Sequence, residues 1–198
     1  MKKRTATISR TTNETQVSIA INLDGTGIYS IKTPIGFLNH MLEQFAKNGM
    51  FDLAVKAVGD VQYDGHHVIE DVGIVLGQVL KKALQDKRGI NRYGSKIIPM
   101  DDVLCLCAID LGGRFAFETN YAPVRENVND FPTEMMSHFF ESVAINAMMN
   151  LHIQFLNPGK NEHHRLEAAF KSSARALREA CSKDTRSAKR LPTTKGLL

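Results

Sequence analysis

Phe37-Leu38-Asn39-His40-Met41-Leu42-Glu43, followed after a gap by Gly65-His66-His67-Val68-Ile69-Glu70, recurs as Met135-Met136-Ser137-His138-Phe139-Phe140-Glu141 followed by Glu162-His163-His164-Arg165-Leu166-Glu167. The lone histidine moves by 98 positions between the copies (40 to 138) and the histidine pair by 97 (66 to 163), so the gap between motifs is almost the same in both. Chance can supply one such match but not the series. A repeat of this kind sets the architecture before any motif is interpreted, because each copy is one supersecondary unit. The copies are expected at residues 1–90 and 91–198, meeting near 88–94 where Gly and Asn interrupt the periodicity, and together forming one structural unit.

Both copies also run through the same order of elements. Val17, Ile19, Ile21 and Leu23 alternate with polar residues, a turn follows at 24–27, and 28–31 returns, which predicts a β-hairpin. Thr33-Pro34 is expected to open a helix with the apolar stripe Leu38, Met41, Leu42 and Phe45, ended by Gly49. Phe51, Leu53, Val55 and Ala57 alternate as a further strand, and a second helix over about 66–84 buries Val68, Val72, Val75, Leu76 and Val79. The later half predicts strands at 103–109, 115–119 and 151–156, with helices over about 132–149 and 162–181. Hairpins combined with singly striped helices predict a duplicated α+β fold, each half a four-stranded, mostly antiparallel sheet with two helices on one face.

The 198 residues, 43% hydrophobic and 23% charged, can bury a substantial core. Apolar runs such as 103–109 fall well short of the ~20 residues that span a bilayer, and Met1-Lys2-Lys3-Arg4 leads into no apolar signal core. A cytoplasmic protein without membrane contact is therefore expected. The three cysteines, Cys105, Cys107 and Cys181, lack zinc-ribbon spacing and are expected as buried thiols. A net charge of +4 and a pI near 9.0 suit an anionic partner. The basic last third has almost no aromatic residues for base stacking, which favours a small anion over nucleic acid. The polar tail, 182–198, is expected as a mobile end.

Six of the seven histidines occupy the repeated positions, and only His152 lies outside them. Residues four apart share a helix face, so His66 with Glu70, and His163 with Glu167, can reach one cation. The second histidine of each pair, His67 or His164, points about a quarter turn away and is free to serve a different ion. His40 and His138 fall opposite their helices' apolar stripes, which makes them further ligand candidates. One helical His-Glu pair is ordinarily a solvated ion pair. Two matched pairs, each with an adjacent and an upstream histidine, have no common structural purpose and predict metal binding. The eight donors divide into two sets of three imidazoles and one carboxylate, which suits Mn, Fe, Co, Ni or Zn better than Ca or Mg. Four protein ligands on a six-coordinate ion leave two positions for substrate.

The strings FLNHMLEQFAKNG, DGHHVIEDVGIVLG, PMDD, DLGGR, GKNEHHRLEAAFKSSARAL and LPTTKG resemble, in order and over nearly the whole chain, the signature blocks of the imidazoleglycerol-phosphate dehydratase family of histidine biosynthesis. Small departures are Asn39, Val68 and Thr193, where that family usually has Asp, Thr and Ser. The resemblance implies a lyase removing water from the glycerol side chain of imidazole glycerol phosphate, with two Mn²⁺ per active site and the imidazole ring as electron sink. It also implies active sites shared between neighbouring subunits in a homo-oligomer of 24. Carried onto this chain, it assigns His40, His66, His67, Glu70, His138, His163, His164 and Glu167 to the metals. Arg92, Arg114, Lys171, Thr193, Thr194 and Lys195, together with Gln44, go to the phosphorylated substrate. Glu14 becomes the candidate acid or base, with His67 and His164 beside it in catalysis. Two other functions compete on the residues alone. A metal-buffering cage would not need the cations, and a dinuclear hydrolase would want bridging carboxylates, whereas imidazoles here outnumber carboxylates six to two.

Overall fold

A computed structural model describes residues 3–197; Met1, Lys2 and Leu198, which belong to the two termini discussed above, lie outside the described residues. The first half contains β1 (Thr5–Thr11), β2 (Thr15–Asn22), β3 (Tyr29–Lys32), α1 (Gly36–Gly49), β4 (Asp52–Gly59) and α2 (His66–Leu84). The second repeats that order as β5 (Tyr93–Met100), β6 (Val103–Asp110), β7 (Ala116–Thr119), α3 (Met135–Ala147), β10 (Asn150–Asn157) and α4 (Glu162–Cys181). It also inserts a small ribbon, β8 (Asn127–Val128) and β9 (Phe131–Pro132). The sheets run β1-β2-β4-β3 and β5-β6-β10-β7, the same order in both copies. The chain is thus α+β, with two four-stranded mixed sheets.

The hairpin expected between β2 and β3 does not form. β4 lies between them, antiparallel to β2 with Ile19 opposite Val55, and parallel to β3 with Ile31 opposite Val55. β10 separates β6 from β7 in the same way. The 24–28 segment crosses the start of β4 instead of turning tightly, held because one Asp52 oxygen accepts from the amides of Thr26 (2.8 Å) and Ile28 (3.2 Å). The true hairpins are β1–β2 and β5–β6. Their outer strands sit at sheet edges and carry few buried apolar residues, so alternation does not betray them; Pro99 in β5 is tolerated because an edge strand has free ladder positions.

The helices form the layer between the sheets. α1 packs on α4 and α2 on α3, so each contact joins one half to the other, and a single apolar core runs through both. Gly73 and Gly77 permit the second contact: a Cβ at either would come within 2.9 Å or 2.5 Å of the carbonyl oxygens of Phe139 and Val143 on α3. Helix α1 starts at Gly36, two residues after the expected Thr33-Pro34 opening. Its first amides, Gly36 and Phe37, donate to the carboxylate of Asp130 in the β8–β9 turn. At the other end Met50, following Gly49, takes the left-handed conformation at φ 56°. Asp130 satisfies two orphan donors and places negative charge at the positive end of the helix dipole. Asp130→Ala is therefore expected to cost about 1 kcal/mol of stability by denaturant unfolding.

Asn39 explains itself locally. Its side-chain amide accepts from the Thr33 amide (2.9 Å) and donates to the Thr33 carbonyl (3.1 Å), a two-way pairing an ionised carboxylate could not make. All three cysteines are buried and free, and burial pushes the Cys105 and Cys181 thiols up to about 11 and Cys107 higher still. The tail, mobile by composition alone but expected to order if it forms the phosphate pocket, runs along the 88–92 segment: the Gly89 amide donates to the Arg190 carbonyl (2.9 Å), and the Asp184 amide to that of Gly89 (2.9 Å).

Candidate active site

Because α1 lies on α4, His40 meets the histidine-glutamate pair of the other half. His163 Nε2 is 3.1 Å from Glu167 Oε2, His40 Nε2 is 4.0 Å from the same oxygen, and the two rings are 5.7 Å apart. The α2–α3 contact does the same for His138, whose Nε2 is 3.1 Å from Glu70 Oε1, with the His66 ring 4.8 Å away. In each group the donor atoms lie within 4.8 Å of one another. Each group takes its lone histidine from one half and its pair from the other.

The two groups differ in their surroundings. Glu167 is 6% exposed, while Glu70 remains partly accessible. Burial works to raise the Glu167 carboxyl, but the Lys171 ammonium 2.5 Å from Oε1, with His163 and His40, brings it below its ordinary value. The Phe37 ring stands 5.1 Å from that of His163 and 6.2 Å from that of His40, walling this group on one side. Two imidazoles and an ionised carboxylate converging in this way are a mixed nitrogen–oxygen donor set that fits a first-row divalent ion such as Mn or Zn.

His67 and His164 stand outside both groups. His67 Nδ1 is 3.5 Å from Glu14 Oε2, and both side chains are more than half exposed. His164 Nδ1 is 2.8 Å from Asp102 Oδ1, and its Nε2 is 3.4 Å from Asp101 Oδ2. Asp101 and Asp102 belong to the PMDD string but were not among the expected site residues; the signal for them was their place in a hairpin turn equivalent to that of Glu14. Gln44 sits on α1, where its backbone carbonyl accepts from Asn48.

Arg92, Arg114, Thr193, Thr194 and Lys195 line one cavity of about 640 Å³ together with Gly112 and Gly113. Asp110 grips the Arg92 guanidinium at 2.6 and 3.0 Å and holds its pKa above the ordinary value, while another donor reaches the Pro192 carbonyl at 2.9 Å. Arg92 therefore also fastens the tail. Lys171 is not in this cavity. It lies at the Met100 end of β5, within 3.5 Å of the Met100 sulfur, whereas the cavity is at the Tyr93 end. At about 3.3 Å per residue those ends are on the order of 20 Å apart.

Twin imidazole–carboxylate groups at the seam of a duplicated α+β fold define a candidate metal-binding protein. The imidazoleglycerol-phosphate dehydratase family model matches residues 33–177. The chain is 51% identical to the imidazoleglycerol-phosphate dehydratase of Lachnoclostridium phytofermentans, covering 92% of this chain and 93% of that one. It is 48% identical to that of Desulforamulus reducens, with 100% of both covered. The crystal structure of the Staphylococcus aureus dehydratase superposes with a TM-score of 0.81 at 38% identity, over 91% of this chain and 99% of that one. The Pyrococcus furiosus enzyme in complex with (S)-C348 also gives 0.81, at 33% identity, over 96% and 100%. This chain belongs to the imidazoleglycerol-phosphate dehydratase family of lyases.

Proposed function

We propose that the enzyme dehydrates D-erythro-imidazole glycerol phosphate to imidazole acetol phosphate in histidine biosynthesis, in the cytoplasm, using two Mn²⁺ ions per active site. The observation that carries the metal dependence is the convergence of His40, His163 and Glu167, and of His66, Glu70 and His138, in a member of this family. These six residues would hold the ions, with His67 and His164 as outward-facing donors completing sites on neighbouring subunits. When bound, the ions supply Lewis-acid stabilisation of the negative charge that proton loss leaves on the substrate's imidazole. Consumption of the substrate with Mn²⁺ and its loss with a chelator test this reading; turnover that survives verified metal removal would overturn it.

Dehydration needs a carbon-bound proton taken away and a hydroxyl released, together making water and an enol that tautomerises to the ketone. Glu14 is the base in this reading, because its carboxylate is at the surface beside His67 and free to face a substrate. The Arg114, Thr193, Thr194 and Lys195 cavity takes the phosphate, with glycines 112 and 113 leaving room for the anion against the backbone.

The separation of Lys171 from that cavity supports a shared site. Ends of one strand about 20 Å apart cannot both touch one small phosphate ester. Two copies of the chain, one offering its cavity and the other its Lys171 and imidazoles, can. We take residues 1–90 and 91–198 as the two halves of a single unit and the assembly as a shell of 24 subunits. Metal bridging subunits stabilises the oligomer by linkage. Chelation is accordingly expected to shift the particle to a smaller species in analytical ultracentrifugation, and an unchanged mass after metal removal would count against shared sites.

A further inference from the structure

The internal repeat relates two carboxylates as well as the histidines. Glu14 is the residue immediately before β2, and Asp102 the residue immediately before β6; each closes the hairpin turn of its half. Each faces Nδ1 of the second histidine of the pair that begins the later helix of that half, His67 on α2 and His164 on α4. The two contacts are built differently. Glu14 stands 3.5 Å from His67, beyond a hydrogen bond, with both groups solvent-exposed. Asp102 is 2.8 Å from His164, whose side chain is 23% exposed.

Asp102 is also held from behind. Its other oxygen accepts from the Lys160 amide, and Gly159, in the left-handed conformation at φ 58°, lies so close that an added Cβ would come within 2.5 Å of that oxygen. As a carboxylate at neutral pH Asp102 offers only acceptor oxygens, one to His164 Nδ1 and the other to the Lys160 amide. Carboxylates face both ring nitrogens, Asp102 at 2.8 Å from Nδ1 and Asp101 at 3.4 Å from Nε2, and the shorter contact favours the hydrogen on Nδ1 and the lone pair on Nε2.

We propose that Asp102 is the positioning residue for His164, fixing its tautomer and ring so that Nε2 is presented to a divalent metal, while its repeat counterpart Glu14 is left unclamped and free for proton transfer. The inference rests on His164 being a metal donor. It divides the two equivalent turns by role: a short, braced carboxylate orients a ligand, and a longer, exposed one meets the substrate. A carboxylate on the second ring nitrogen of a ligating histidine raises ligand basicity, and its loss typically lowers metal affinity roughly 10–100-fold.

The test uses the full-length protein with MnCl₂ as probe. Bound Mn²⁺ is counted by the electron paramagnetic resonance of the free ion, and histidine tautomers are read by ¹⁵N imidazole NMR on the metal-free protein. In the wild type His164 is expected as the Nδ1–H tautomer. Asp102→Ala is expected to shift it toward Nε2–H and to weaken one class of Mn²⁺ site roughly 10–100-fold, leaving the other class unchanged. Asp102→Asn keeps one acceptor oxygen where the wild type uses two, so it can serve either Nδ1–H or the Lys160 amide but not both, and its Mn²⁺ affinity should fall between those of the wild type and Asp102→Ala. An unchanged tautomer in Asp102→Ala, or an unchanged Mn²⁺ affinity, overturns the proposal; a fall in thermal stability without either would mean that Asp102 only anchors residues 158–160. Should the wild type bind no Mn²⁺ at all, the metal reading of the protein fails, and with it the purpose assigned to Asp102, whereas a binding wild type with an indifferent variant sinks the proposal alone.

Discussion

His163→Ala should all but abolish dehydration and lower bound metal while the subunit stays folded. The ring is 41% exposed and sits on Glu167 at 3.1 Å, whereas the residues that seat α4, among them Leu166, Ala169 and Phe170, are buried and untouched by the change. A partly exposed position away from caps and packing usually changes stability by no more than about 0.5 kcal/mol. The metal loss should be greater than the roughly 10–100-fold that follows loss of an outer-shell partner, because a donor itself is removed. Turnover falls with occupancy. His66→Ala, its repeat counterpart at the other group, should behave alike, since both groups are assembled by the same kind of helix contact. Circular dichroism, metal analysis and substrate consumption on the same preparation check this, and full activity at reduced metal content would refute a catalytic role for the group.

Lys171→Ala separates phosphate recognition from metal chemistry. A charge-assisted contact to phosphate in a partly desolvated site is worth about 2 kcal/mol, so substrate affinity should fall by a factor of roughly thirty with metal stoichiometry intact. Turnover can drop as well, because a phosphate anchored far from the reacting carbon orients the imidazole. A phosphate-free diol analogue is the control: the wild type should process it poorly, and the variant little worse. The competing role is visible in the fold, where the ammonium lies 2.5 Å from Glu167 Oε1. Release of metal by Lys171→Ala, or equal harm to both substrates, would mean that the lysine serves that carboxylate and not the phosphate.

Much of this molecule was legible as pattern. The bounds of α2 and α4 coincide with the expected 66–84 and 162–181, because each begins at a motif and carries an uninterrupted apolar stripe. α1 and α3 start later than expected, since their first turns are capped or led in by residues distant in sequence or by a neighbouring ribbon. Strand pairing was the weakest point. The alternation of Val17, Ile19 and Ile21 marks a face to be buried but not the neighbour along the edge, so β2 and β3 looked like a hairpin although β4 runs between them. The quarter turn between His66 and His67 followed from helix geometry, and in the structure only His66 joins a group.

The sequence by itself determined that the chain is duplicated, that each copy is α+β, and that six histidines and two glutamates recur at matched helical positions. These are local properties, written in spacing and periodicity, which each segment carries wherever it packs. Which donors meet was decided by tertiary structure alone. His40 reaches His163 and Glu167, and His138 reaches His66 and Glu70, because α1 lies on α4 and α2 closes on α3 at Gly73 and Gly77. A helix face records that it must be buried, not against what. Only the shape of the opposing helix, set by residues far along the chain, turns two repeated motifs into two exchanged groups.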